Sequence, residues 1–93
     1  MTAQPAPARR AVSLRCSLTR GAGSPIRACA IELGPTGMRV ATERPLAVDE
    51  TVAFDLVDDD VRISGRARVV CQERPDVYAV RFESLRQAAP ESG

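Results

Sequence analysis

Apolar side chains recur at every second position along most of the chain. This is the period of half-buried strands rather than of helices. Val12, Leu14, Cys16 and Leu18 alternate with Ser13, Arg15, Ser17 and Thr19. Cys29, Ile31 and Leu33 form a second alternating run, and Met38 with Val40 a third. Val52, Phe54 and Leu56 form a fourth. The longest run is Val61, Ile63, Gly65, Ala67, Val69 and Cys71, with Arg62, Ser64, Arg66 and Arg68 on its other side. Tyr78, Val80 and Phe82 complete the series. Six strands are predicted, with Val12, Leu14, Cys16, Leu18, Ile31, Val40, Phe54, Ile63, Val69, Val80 and Phe82 turned inward.

The breaks between these runs carry turn chemistry. Arg20-Gly21-Ala22-Gly23-Ser24-Pro25 reads as a loop. Gly34-Pro35-Thr36-Gly37 reads as a tight turn, with Pro35 pre-setting a negative φ and Gly37 free to take a positive one. Residues 43–50 form a loop with one or two apolar anchors. Asp58-Asp59-Asp60 marks a hairpin tip. It lacks the spaced ligands of a calcium loop and reads as a solvated turn. Arg74-Pro75-Asp76 is a further turn. Residues 83–89 (Glu-Ser-Leu-Arg-Gln-Ala-Ala) have helical composition and stop before Pro90. Residues 1–8, rich in Ala and Pro, predict a disordered tail, residues 9–89 one domain, and residues 90–93 a second tail. The fold class expected is all-β: a small six-stranded antiparallel β-barrel with a short C-terminal helix. Closing the sheet removes edges that 93 residues can hardly cover otherwise.

Composition narrows the chemistry. Apolar residues make up 44% and charged residues 27%, the profile of a soluble globular domain. The formal net charge of +1 gives no strong field to gather nucleic acid or anionic lipid. All 13 basic residues are Arg. Genome composition accounts for that, although Arg also suits bidentate recognition of phosphates and guanine edges. The 3 cysteines, Cys16, Cys29 and Cys71, form no CxxC pair. Each is expected on the apolar side of a strand, as a small buried hydrophobe in a reducing cytoplasm. No apolar run is long enough to span a membrane, and the N-terminus has no signal core. The expectation is a cytoplasmic protein without membrane insertion.

His and Lys are both absent. That excludes Ser-His and Cys-His nucleophiles, a lysine Schiff base and a P-loop. No metal site and no enzyme activity are expected. The 2 Phe and 1 Tyr are assigned to the core, which leaves no stacking platform for DNA or RNA. What remains is an Arg-lined exterior: Arg9 and Arg10 at the entrance, Arg15 on the first strand, Arg62, Arg66 and Arg68 on the fifth. It reads as an anion-binding face or as an ordinary solvated surface.

The order of elements resembles the PilZ domain, a small bacterial β-barrel that serves as a receptor for cyclic di-GMP. The resemblance covers residues 9–86. An Arg-rich segment precedes the first strand. Gly37-Met38-Arg39-Val40, then Pro45-Leu46 and Val52-Ala53-Phe54-Asp55-Leu56, look like the middle of the family. Ala67-Arg68-Val69-Val70 and Val80-Arg81-Phe82 are similar to its later strands. The ligand motifs depart from the family's. Two Arg separated by three residues are usual there, whereas Arg10 and Arg15 are separated by four residues and Arg9 and Arg15 by five. At the hairpin, Glu32 stands for a usual Asp or Asn and Gly34 for a usual Ser, while Gly37 matches. Asp49 and Ala79 replace usual Gly, and Cys71 a frequent Trp.

The resemblance implies ligand-binding positions at Arg9, Arg10, Arg15, Glu32, Gly34 and Gly37, with cyclic di-GMP as the ligand and a protein as the partner. Gly34 lacks the hydroxyl that would donate to a phosphate oxygen, a bond worth about 1.5–3 kcal/mol. The expected function is a single-domain protein of cyclic di-GMP signalling that holds the dinucleotide weakly or not at all and acts through a protein. The alternative is an adaptor of this fold that has lost the ligand.

Overall fold

The computed structural model describes residues 10–88. They form one closed antiparallel barrel of six strands, and no helix occurs among them. The strands are β1 (Arg10–Thr19), β2 (Ile26–Leu33), β3 (Gly37–Thr42), β4 (Thr51–Asp58), β5 (Val61–Arg74) and β6 (Val77–Ala88). Their order around the barrel is β1-β2-β3-β6-β5-β4, closed by pairing of β1 with β4. The tail expected over 1–8, and Arg9, lie outside the described residues.

The alternation explains most of the core. Cys16, Leu18, Val40, Phe54, Val69 and Val80 are buried, joined by Val52, Leu56, Ala67 and Tyr78. Phe54 stacks on Phe82 with ring centroids 5.2 Å apart, an arrangement that adds to simple burial. Leu46 is the buried anchor of the long loop between β3 and β4. The loop is latched by the Asp49 amide donating to the Val69 carbonyl and the Val69 amide to that of Glu50. Arg20 holds the same loop by donating to the Pro45 carbonyl at 2.6 Å and pairing with Glu50 at 2.9 Å.

Four expectations need correction. First, Ile31 is not in the core. A bulge between Ala30 and Glu32 inserts one residue in β2 against β3, so Ile26, Ala28 and Ala30 face inward before it and Leu33 after it. A single extra residue reverses the parity of a strand. Cys29 therefore lies half-buried on the outer side. Second, Cys71 is exposed. The register shifts between Val69 and Cys71, and Cys71 pairs with Ala79 on the outer face.

Third, residues 83–88 are not helical. They extend β6 and pair with residues 62–66 of β5, whose half-buried Ile63 and Gly65 would otherwise lack a neighbour on that side. Six residues are too few to hold a helix without packing, and propensity yields to tertiary pairing. Fourth, Gly37 does not use a positive φ. The positive-φ positions among the described residues are Gly21, Asp49 and Asp59. A Cβ on Gly37 would stand 2.2 Å from the Val80 carbonyl oxygen, so glycine is required there for close approach of two backbones.

Candidate functional site

Burial falls off along the barrel. Towards one end Leu18 and Val40 are sealed; towards the other Val12, Leu14, Leu33, Ile63 and Phe82 are only partly covered. The strands outrun one another at this second end. β1 pairs with β4 only from Arg15 onward, and β3 pairs with β6 only as far as Arg81. The opening so formed collects most of the residues singled out by the resemblance.

Arg10 pairs with Leu33 and Ala11 with Glu32, which sets the start of β1 against the end of β2. The turn at residues 34–37 follows directly. It is closed by the Gly34 amide donating to the Gly37 carbonyl at 3.0 Å. The Phe82 amide donates to the Thr36 carbonyl at 2.9 Å and ties the turn to β6. Arg10, Glu32, Gly34 and Gly37 thus share one end of the barrel. Arg15 does not join them. It pairs with Cys29 and Val57, facing outward on the flank, five strand residues or roughly 16 Å from Arg10. There it borders a shallow groove with Arg27, Cys29 and Glu43. Arg9 lies outside the described residues.

Glu32 is engaged. Its Oε1 accepts a hydrogen bond from Arg39 Nη1 at 2.8 Å, and the two residues are direct cross-strand partners. Arg39 Nε lies 2.8 Å from Glu73 Oε1, an ionic contact without hydrogen-bond geometry. One guanidinium between two carboxylates ties Glu32 and Arg39 to each other's charge, while Arg81, the ladder partner of Gly37, stands exposed on the other side of the turn. Arg39 and Glu73 went unnoticed as site residues. The signal available was opposite charges flanking one hairpin turn, visible for Glu32 and Arg39 only once the bulge at Ile31 sets their register.

The Arg-lined exterior divides into paired and unpaired members. Arg62 pairs with Asp55, and Arg68 with Glu83 and Asp49. Arg66, Arg81 and Arg86 are exposed and have no ion-pair partner among the described residues. Burial pushes the Cys16 thiol up to about 12, which makes it an unreactive core group rather than a nucleophile.

No protein-family model matches this sequence, and no curated protein matches it either.

Proposed function

We propose that the chain is a PilZ-like domain of cyclic di-GMP signalling that holds the dinucleotide weakly or not at all and acts through a protein partner. One observation carries this reading. The open end gathers Arg10, Glu32 and the turn at 34–37, yet Glu32 is spent on Arg39 and Arg15 stands on the flank. The arrangement has the outline of an anion site whose carboxylate and second arginine are committed elsewhere. The loop before β4 also fits the resemblance. Asp49, at a position where the family carries Gly, adopts φ 79°, a conformation natural to glycine and strained for most other residues.

Calorimetric titration with cyclic di-GMP tests the proposal. The unaltered chain is expected to bind more weakly than about 10 μM or to give no heat. Gly34→Ser restores a phosphate donor, and the positive-φ strain that would forbid a side chain does not arise at Gly34. Combined with Glu32→Asp, which shortens the carboxylate to the length usual in the family, it is expected to tighten binding, and Arg10→Ala in that background to abolish the gain. Tight binding by the unaltered chain overturns the weak-site reading. A folded double variant that binds nothing leaves the ligand-free adaptor.

A further inference from the structure

Residues 83–88 of β6 pair with β5 along one edge only. The last backbone bond on the other edge is the Phe82 amide to Thr36, and none follows among the described residues. A strand with one free edge presents alternate N–H and C=O groups as a template for another strand. A groove of about 320 Å³ runs along this edge, between β6 and the turn at 34–37. Its lining is apolar at Pro35, Phe82 and Leu85, and Leu85 is 53% exposed. The carboxylate in its lining, Glu83, is taken up by Arg68 at 3.0 Å, and further guanidiniums stand around the groove. Arg81 lines the groove and faces Arg68 directly across the ladder, while Arg66 and Arg86 lie further along the outer face. Arg66, Arg81 and Arg86 have no ion-pair partner among the described residues.

We infer that this edge is a docking site for an extended, acidic segment of a partner protein, added as a seventh strand beside β6. Backbone pairing supplies the affinity, one apolar side chain of the segment enters between Pro35 and Leu85, and its carboxylates meet Arg81 and Arg86. Charge decides the occupant. A second copy would bring Arg81 and Arg86 against their own counterparts. The chain's N-terminal residues 1–8 carry Pro5 and Pro7 and no acidic residue, so they match neither the ladder nor the charge. The inference rests on the proposed function only for the need of a partner; the edge and its charges stand without it.

The test uses the full chain, isotopically labelled, and a blocked nine-residue peptide of alternating glutamate and valine. Its controls are the same peptide with arginine for glutamate and one with a central proline. The acidic peptide is expected to slow amide exchange within residues 83–88 and to leave β2 and β4 unchanged. The double variant Arg81→Glu/Arg86→Glu is expected to weaken it by at least about tenfold and to bind the arginine peptide instead. Both positions are exposed, and unchanged exchange in β4 reports that the variant is folded. Equal binding of the proline peptide, perturbation away from β6, or a dimer paired through this edge would each overturn the inference. Cyclic di-GMP is titrated separately, so loss of peptide binding leaves the dinucleotide reading to its own experiment.

Discussion

The two ends of this barrel are built from the same strands with the same alternation, and they differ in what the alternation achieves. On β1, Leu14 and Leu18 occupy equivalent inward positions; Leu18 is sealed and Leu14 only partly covered. On β5, Ala67 and Val69 are sealed, whereas Ile63 is not. The difference lies in the partners. Leu18 is paired on both sides, with Ile26 and Phe54, whereas Leu14 pairs with Ala30 alone, beyond the last rung of the β1–β4 seam. Ile63 keeps a partner on each side but lies at the end where the β1–β4 and β3–β6 seams have parted. Side-chain pattern sets which way a residue points, and sheet closure sets whether anything covers it.

The largest expected effect tests that contrast directly. Leu18→Ala should cost about 4 kcal/mol and Leu14→Ala about 1–2 kcal/mol by denaturant unfolding. Equal costs would break the comparison. Cys16 sharpens it by pH. Its folded thiol ionises near 12 against an ordinary 9.0, chiefly through burial. The associated stability is whole below pH 9 and falls as pH rises toward 12. Unfolding midpoints of the unaltered chain should drop over that window, and the drop should be smaller in Cys16→Ala. In alkylation at pH 8, Cys71 should react and Cys16 should not.

Two smaller effects concern the backbone at the open end and the loop latched to β5. Gly37→Ala should cost about 2–3 kcal/mol, because its Cβ meets a carbonyl oxygen of β6 rather than a movable side chain. Gly34→Ala, in the same turn, should change stability by less than about 1 kcal/mol. Asp49→Gly should raise stability by about 0.5–1 kcal/mol by relieving its positive φ, read as a rise in thermal midpoint. A loss there would mean that the weak Arg68 contact of Asp49 at 4.0 Å outweighs the backbone term.

The strand count and most inward residues were legible because β1, β4 and the middle of β5 keep strict parity. Ile31, Cys29 and Cys71 were misread for one reason: a bulge leaves no mark in the apolar pattern when the residues beside it are themselves apolar. Residues 83–88 were misread because Glu, Gln, Leu and Ala prefer helix locally, and only the long β5 beside them demands a strand. At the candidate site, the gathering of Arg10, Glu32 and the turn followed from their positions at strand ends. The capture of Glu32 by Arg39 did not, since it depends on a register shifted by one residue.

Closure also bears on how fast the chain reaches this structure. The seam that shuts the barrel pairs Leu18 with Phe54 and Cys16 with Leu56, and the β3–β6 seam joins Met38 to Val80. These partners are distant in sequence, so long loops must be closed before either seam is rewarded. The β1–β2, β2–β3, β4–β5 and β5–β6 hairpins can form from local contacts; the two long-range seams cannot. Refolding on the millisecond-to-second scale typical of non-local β proteins is the consequence, with β1 docking onto β4 as the step that turns an open, curled sheet into a barrel.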